Sequence, residues 1–315
     1  MKRIAALLLV LLVTIAGAYA EIPYTFADRE AGVETLMSNE TYYAGFSQND
    51  LDYKMQKKGA QMDEYLAFAR EQVGDFTEEE KALISESLDK LEAKLEANGY
   101  VLPELEPIVF IKTTMEEECG AAAYTHGTQI YLGAMVMALY SGDDLEELLA
   151  HELFHCLTRS NPQFRKDMYQ LIHFTVQDEE YPLPESVFQA FISNPDVEHH
   201  NAYATFIIDG QPVDCFTALV TTRGFENPGD SFFYTMTTGL VPVDGTDIWY
   251  RPEDAANFDE IFGKNTGYVI DPEECMADNF SYAMVYGLES RDYPNPEIIK
   301  GILDYLSAGQ AADAA

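Results

Sequence analysis

Hydrophobic positions recur every three or four residues in one long segment, which predicts an amphipathic α-helix. The segment begins with a capping box, Thr77-Glu78-Glu79-Glu80, and Asn98-Gly99 follows its end. We expect its apolar stripe to face the core of the protein. The stripe consists of Leu83, Ile84, Leu88, Leu91 and Leu95.

Short apolar runs further along the chain predict β-strands. The run from Pro107 to Ile111 is apolar throughout, as in a strand that is buried on both faces. The segments Ala121 to Tyr124 and Thr128 to Leu132 flank Thr125-His126-Gly127, so they predict a β-hairpin with a glycine-containing loop. We expect His126, at this turn, to be exposed.

The second half of the chain contains both kinds of pattern. Asp143 or Asp144 is predicted to cap a helix, strands and turns fill residues 202–250, and Asp271-Pro272 begins a helix that continues to Tyr286. A short helix from Glu297 to Leu306 precedes a Gly/Ala/Gln-rich tail. Together these elements predict an α+β fold with a β-rich insertion.

Composition limits the classes of partner. The chain has 315 residues, 47% of them hydrophobic, which is enough for one large domain or two smaller ones. Its 19 basic and 54 acidic residues leave a formal charge of −35. So large an acidic excess argues against binding to nucleic acid or to an anionic membrane surface. The acidic residues are spread along the chain, as on a solvated surface.

The first twenty residues have the three parts of a secretory signal peptide. Lys2 and Arg3 are the basic region, Ile4 to Ala16 is the apolar region, and Ala18-Tyr19-Ala20 matches a cleavage site. We predict cleavage after Ala20, a secreted, periplasmic or cell-surface location, and no integral membrane segment afterwards. An uncleaved anchor is the alternative, although the apolar run is short for a membrane span.

Four cysteines lie after the predicted cleavage site, namely Cys119, Cys156, Cys215 and Cys275. An even number in an exported protein permits two disulfides in three possible pairings. The alternative is that they are buried thiols. The sequence leaves the pairing open.

The pentapeptide His151-Glu152-Leu153-Phe154-His155 matches the HExxH motif. Residues four apart lie on one face of a helix, so the imidazoles of His151 and His155 can bind one metal ion. Glu152, one position along, can reach a water molecule on that metal without binding the metal itself. The motif is typical of Zn²⁺ sites with a glutamate general base. The alternative is an ordinary helix in which this spacing arose by chance.

A catalytic zinc ion usually has three protein ligands and one open position, so one more ligand is needed. The extended metzincin motif would require Gly at position 158 and His at position 161, but the chain has Thr158 and Asn161. The helix after Asp271 contains Glu274 and Asp278, four residues apart on one face. An alternative interpretation of Asp271 and Glu274 is a helix-capping pair.

With Glu274-x-x-x-Asp278 after HExxH, the chain resembles the gluzincins, the thermolysin-like zinc peptidases. The resemblance implies a zincin-like fold, in which a small mixed β-sheet with an edge strand lies beside the metal. It also implies that His151, His155 and Glu274 bind Zn²⁺, that Glu152 is the general base, and that Asp278 orients a ligand histidine. An extended peptide can add to such an edge strand.

The candidate edge strand is Ala121 to Tyr124. The chain departs from thermolysin in the long gap between the two motifs, most of which residues 202–250 fill, and in the short stretch after the second motif. The resemblance covers about residues 105–160 and 265–290. It therefore implies no particular substrate specificity.

Peptide hydrolysis also needs a hydrogen-bond donor for the oxyanion. His199, His200 and Tyr203 form the densest cluster of such side chains, in a predicted loop, and we predict that the catalytic donor is among them. Tyr282 and Tyr286 are alternatives. One of the loop histidines could also replace the glutamate ligand, or the cluster could be polar surface only.

These patterns predict an exported zinc-dependent metallopeptidase that acts on a peptide or protein. The alternative is a non-catalytic secreted module that keeps the zincin-like fold and binds a protein or cell-surface partner. The predicted organisation is a signal peptide (1–20), an N-terminal segment or pro-region (21–75), a zincin-like domain (76–306) with the insertion at 202–250, and a disordered tail (307–315).

Overall fold

The computed structural model describes residues 21–313, so the predicted signal peptide lies outside the described residues. These residues form two β-sheets and twelve α-helices. The α+β class predicted from the sequence is confirmed. Within residues 21–313, no helix is long and apolar enough to cross a membrane.

Nine strands form the two sheets. They are β1 (Tyr24–Phe26), β2 (Val73–Gly74), β3 (Ile108–Thr113), β4 (Ala123–His126), β5 (Gln129–Gly133), β6 (Thr175–Val176), β7 (Ala202–Ile208), β8 (Gln211–Thr221) and β9 (Met236–Pro242).

Twelve helices surround the sheets. They are α1 (Arg29–Met37), α2 (Glu40–Ala44), α3 (Gln48–Lys54), α4 (Met62–Gln72), α5 (Glu78–Asn98), α6 (Ala134–Leu139), α7 (Asp143–Ser160), α8 (Pro162–Gln170), α9 (Glu185–Ala190), α10 (Phe258–Phe262), α11 (Pro272–Val285) and α12 (Pro296–Asp313).

The first sheet is mixed and has the order β1-β3-β5-β4, with β2 paired to the far end of β3. Strands β1, β3 and β5 are parallel, whereas β4 runs antiparallel to β5. The central strand β3 is buried at Ile108, Phe110 and Ile111, as its unbroken apolar run predicts. Strand β4 lies at the edge of this sheet.

The predicted hairpin is confirmed, with its first strand two residues later than expected. Because β4 ends at His126, this side chain is buried rather than exposed. Its ring packs against the rings of Tyr42, Tyr124 and Tyr131, and burial lowers its pKa to about 3. The expectation of an exposed turn residue was therefore wrong.

Residues 21–75 contribute strands to the first sheet. Tyr24 pairs with Ile108 in a parallel ladder, and Val73 pairs with Thr113 in an antiparallel one. Removal of residues 21–75 would therefore remove both β1 and β2 from the sheet.

The predicted β-rich insertion contains β7, β8 and β9, which join β6 in a four-stranded antiparallel sheet. Asp209-Gly210 connects β7 and β8, and both residues have positive φ, of 50° and 74°. That conformation matches the right-handed twist of a two-residue hairpin and favours glycine at the second position.

Helix α5 confirms the predicted apolar stripe, because Ile84, Leu88, Leu91 and Leu95 are buried in the main core. The helix packs against α7 and α11, which carry the chemistry described below. Helix α12 is longer than predicted, since it continues to Asp313 and includes most of the expected disordered tail (307–315).

The four cysteines are unpaired thiols in the structure. Cys156, Cys215 and Cys275 are buried, and burial raises the pKa of the Cys215 thiol to about 12. Of the two interpretations left open by the sequence, the structure agrees with thiols, of which three are buried and Cys119 is partly exposed.

Candidate metal centre

Helix α7 places the two histidines of the HExxH motif side by side. Its apolar positions, among them Leu149, Leu153 and Leu157, are buried, and this orients the opposite face toward α11. The imidazole rings of His151 and His155 are 4.9 Å apart between centroids. His155 is fully buried, and the side chain of His151 is 13% exposed.

Helix α11 brings the third predicted ligand to the same point. Asp271 caps the helix by accepting a hydrogen bond from the backbone N–H of Glu273 at 2.9 Å. Glu274 Oε2 lies 3.1 Å from His151 Nε2 and 3.6 Å from His155 Nε2. Asp271 therefore caps α11 alone. Glu274 does not form a capping pair with it and faces the histidines instead.

The three donor atoms fit one metal ion. Two ligands about 2.1 Å from a tetrahedral zinc ion lie about 3.4 Å apart, close to the distances from Glu274 Oε2 to the two imidazoles. His155 Nε2 is buried without a hydrogen-bond partner in the part of the chain that the structure describes. A buried acceptor of this kind is costly unless something binds it, and a cation at this point would do so.

Each imidazole has a carboxylate behind it. Asp278 Oδ1 is 2.9 Å from His151 Nδ1, and Glu273 Oε1 is 2.9 Å from His155 Nδ1. Such partners fix the tautomer that directs Nε2 toward the metal. The sequence predicted the position of Asp278 but missed Glu273. A signal for Glu273 was available, since each ligand histidine needs an acceptor for its second ring nitrogen.

Glu273 is itself held by several donors. It accepts hydrogen bonds from Thr158 Oγ1 at 2.6 Å, Tyr169 Oη at 2.5 Å and Arg159 Nη1 at 3.1 Å. Burial opposes ionisation of this carboxyl group, but the hydrogen bond with His155 and the charge of Arg159 outweigh it and lower its pKa to about 2. Glu273 is therefore an ionised acceptor in a fixed position.

The proposed general base lies between the histidines and the edge strand. Glu152 is 2% exposed, and its Oε2 accepts a hydrogen bond from Thr125 Oγ1 of β4 at 2.7 Å. This bond orients the carboxylate and leaves Oε1 for other contacts. The sequence did not identify Thr125 as part of the site, because β4 was expected to end before it.

Acidic side chains crowd the centre. Ligand atoms of Glu152, His155 and Asp196 lie within 4.8 Å of one another, and Asp196 Oδ1 is 3.9 Å from His155 Nε2. Burial and the charges of Glu152 and Glu274 raise the pKa of Asp196 well above its usual range. A divalent cation would relieve this repulsion.

The same carboxylates act on His151. Burial disfavours its protonated form, but hydrogen bonds with Asp278 and Glu274 outweigh burial and raise the pKa of His151 well above its usual range. The pocket thus stabilises positive charge at the position where a metal would bind. Metal binding there would displace a proton.

Two further residues hold the other oxygen of Glu274. Tyr268 Oη donates a hydrogen bond to Glu274 Oε1 at 3.1 Å, and the side-chain amide of Asn194 donates a second one. These contacts leave Oε2 facing the histidines. Neither Tyr268 nor Asn194 was identified from the sequence, because both lie in irregular segments without a periodic pattern, although Tyr268 is only six residues before Glu274.

The predicted oxyanion cluster makes its contacts elsewhere. His199 Nδ1 is 2.6 Å from Glu180 Oε1, and the partly buried ring of His200 packs against Phe191. Tyr203 lies in β7, where it pairs with β6. Among the described contacts of these three side chains, none reaches His151, His155 or Glu274. The structure therefore does not bring them to the centre, and it brings Asn194 and Asp196 of the same loop instead.

The alternative oxyanion donors, Tyr282 and Tyr286, contact an arginine instead. The guanidinium of Arg291 lies 4.0 Å from the ring centroid of Tyr282 and 5.6 Å from that of Tyr286. Both rings are thus in contact with a cation at the end of α11.

Comparison with known proteins gives one family match. Residues 112–163, which include β4, β5 and α7, match the model of the eCIS core domain (extracellular contractile injection system core). The match covers the HExxH motif but neither Glu274 nor Asp278. No curated protein and no solved structure matches the chain.

Proposed function

We propose that the protein is an exported zinc-dependent metallopeptidase. The observation that carries the proposal is the convergence of His151 Nε2, His155 Nε2 and Glu274 Oε2, with distances of 3.1 and 3.6 Å from the glutamate oxygen to the two nitrogens. Two imidazoles and a carboxylate are the ligand set of several catalytic zinc sites.

The gluzincin resemblance supports the same proposal. The two motifs come from distant parts of the chain, yet α7 and α11 bring them into contact, and Asp278 lies behind a ligand histidine as the resemblance implies. A zincin-like fold agrees with the mixed sheet, in which the antiparallel strand β4 lies at the edge beside α7.

Each residue of the centre has a role in this proposal. When bound, a zinc ion supplies Lewis acidity that activates water and polarises a carbonyl group. Glu152 takes a proton from the attacking water at its carboxylate and passes it to the leaving amine, while Thr125 keeps that carboxylate in position. Asp278 and Glu273 hold the two imidazoles, so that Nε2 of each stays directed at the centre.

Export rests on the N-terminal sequence alone. The basic region, apolar region and small-residue cleavage site of residues 1–20 support a secreted, periplasmic or cell-surface location. The acidic surface supports a peptide or protein substrate rather than nucleic acid.

A second candidate is a non-catalytic secreted module with a structural metal. The burial of the site favours this alternative, since His155 and Glu274 are fully buried and only His151 is partly exposed. Such a protein would bind zinc and a partner without hydrolysing peptide bonds.

The test combines metal content with hydrolysis of an unfolded protein substrate. We expect one zinc per chain in the wild type and in Glu152→Gln, and hydrolysis that a chelator abolishes. Because Glu152 is proposed to transfer the proton, Glu152→Gln should lose at least ~100-fold in rate. The matched control is Glu147→Gln, which changes a partly exposed glutamate of the same helix and should keep full activity.

Two outcomes would contradict the proposal in different ways. If the purified protein contained no zinc, the proposed metal centre would be contradicted. Zinc together with no hydrolysis that depends on Glu152 would favour the non-catalytic module.

A further inference from the structure

We propose that residues 193–198, which we call the covering segment, occupy the substrate side of the centre and keep it closed. In this arrangement the carboxylate of Asp196 lies beside His155 and Glu152, in the space that the attacking water and the substrate would need. The inference rests on the proposed function, because it assigns a regulatory role within the same site.

The first observation is the position of Asp196 relative to the metal ligands. Its Oδ1 is 3.9 Å from His155 Nε2, the ring nitrogen that faces the centre. Ligand atoms of Asp196, His155 and Glu152 lie within 4.8 Å of each other. Asp196 is 7% exposed, so its carboxylate points into the protein beside the general base. It therefore fills the space in which Glu152 would meet water.

The second observation concerns the edge strand. In a strand, the backbone N–H groups of alternate residues point to the same edge, where an extended peptide could bind them. The N–H groups of Thr125 and Gly127 both donate to the covering segment, to Asp196 Oδ1 at 2.6 Å and Glu198 Oε1 at 2.6 Å. The two carboxylates are two residues apart, as are their donors. A peptide cannot pair with the N–H of Thr125 until the carboxylate of Asp196 leaves, while Glu198 holds the N–H of Gly127 in the turn directly after β4.

The third observation is the size of the remaining space. The cavity beside the centre, between β4, Asn194 and Tyr268, has a volume of about 80 Å³. Ligand sites usually measure roughly 300–1,000 Å³. Cavities of about 540 and 710 Å³ are also lined by the covering segment. Residues of the covering segment line all three cavities, so the segment lies between the small cavity and the two that are large enough for a peptide.

The covering segment is held from both sides. Arg159 of α7 donates to the backbone oxygen of Asp196 at 2.6 Å and lies 3.3 Å from Glu198 Oε1. Asn194 donates to Glu274 and accepts the N–H of Asp196 at 3.0 Å, which closes a tight turn. These contacts hold the covering segment in place and so fix the position of the Asp196 carboxylate beside the centre.

The upstream anchor lies in the N-terminal part of the chain. The N–H of Ser193 donates to Asp50 Oδ2 at 2.9 Å, and its hydroxyl is 3.2 Å from Tyr42 Oη. Asp50 belongs to α3 and Tyr42 to α2, within residues 21–75. A partner or a cleavage that moves these two helices would therefore release the covering segment and open the site.

The test uses the cobalt-loaded, full-length mature protein and its Asp196→Ala and Asp196→Asn variants. The Asn variant keeps an acceptor for Thr125, so it guards against loss of folding in the Ala variant. Asp244→Asn is the matched control, because Asp244 also accepts a backbone N–H but is exposed in a turn. We expect acetohydroxamate to bind at least ~10-fold more tightly to both Asp196 variants, as followed by visible absorption.

Two further readouts separate this inference from the proposed function. In Asp196→Ala, with or without metal, the amides of residues 123–127 should exchange with deuterium at least ~10-fold faster than in the wild type. Hydrolysis should also rise at least ~10-fold, and the double variant with Glu152→Gln should lose it.

Equal hydroxamate binding, or equal amide exchange, in wild type and variants would overturn the covering role. Faster exchange and tighter hydroxamate binding without Glu152-dependent hydrolysis would support the covering role and overturn the peptidase. Loss of cobalt from both Asp196 variants would make Asp196 a permanent ligand and would also overturn a releasable cover.

Discussion

At the scale of single residues, the centre depends on carboxylates that never touch the proposed metal. His151 is held by Asp278 and His155 by Glu273, both at 2.9 Å, and each contact fixes which ring nitrogen faces the centre. These partners determine the orientation of the ligands before a metal binds. Their loss should therefore weaken metal binding while the three ligands remain.

We expect Asp278→Asn to lower zinc affinity by about 10–100-fold, since an amide is a weaker acceptor for His151 Nδ1. Competition with a chromogenic chelator measures the affinity. Asp304→Asn is the control, because this aspartate pairs with Lys300 on the exposed face of α12. Unchanged affinity in Asp278→Asn would show that the carboxylate does not position the ligand.

At the scale of elements, helix ends and packing place the ligands. Asp271 and Pro272 begin α11 at the point that lets Glu274 face α7. Helix α7 has no side-chain cap at Gly142, so the expected cap by Asp143 or Asp144 was wrong, and these residues lie in the first turn instead. Negative charge in that turn still stabilises the helix through its dipole. Helix α5 packs against both α7 and α11, and its own stability depends on its capping box.

In that capping box, Thr77 Oγ1 accepts the N–H of Glu80 at 3.2 Å, and Glu80 accepts the N–H of Thr77 at 2.8 Å. We expect Thr77→Ala to lower the free energy of unfolding by ~1 kcal/mol in urea titrations, with metal content unchanged. Thr35→Ala should have a smaller effect, because the hydroxyl of Thr35 bonds only within α1. An equal effect of both changes would contradict a capping role for Thr77.

At the scale of the whole molecule, a buried charge network joins residues 21–75 to the rest. Lys54 of α3 is 2% exposed and pairs with Glu118, and its Nζ lies 3.9 Å from Asp50. Burial disfavours the charged form of Lys54, but Glu118 and Asp50 outweigh burial and raise its pKa. Since Asp50 also binds Ser193, this network connects the N-terminal part to the covering segment.

We expect Lys54→Met to destabilise the protein by ~3–5 kcal/mol, because Glu118 and Asp50 would remain buried without a cation. Urea unfolding measures the change. The control is Lys57→Met, since Lys57 makes an exposed pair with Glu64 and its loss should have no measurable effect. Equal destabilisation by both changes would show that burial of the Lys54 network is unimportant.

The sequence by itself determined the local features of this protein. Spacing along helices placed His151, Glu152 and His155 on α7, and Glu274 and Asp278 on one face of α11, because helical geometry depends only on neighbours in the chain. The apolar stripe of α5, the hairpin and the β-rich segment followed from the same local rules. The oxyanion donors and the exposure of His126 were inferred from composition and loop position, and there the structure differs.

Only the tertiary structure decided which distant residues meet at the centre. Thr125, Asn194, Asp196 and Glu273 were assigned no site role by a motif, and their contacts arise because β4, the covering segment and α11 pack around α7. Such contacts join residues that are far apart in sequence, so no period or spacing along the chain contains them. For that reason the sequence could indicate a metal centre, whereas only the packing reveals that the chain's own segment lies across it.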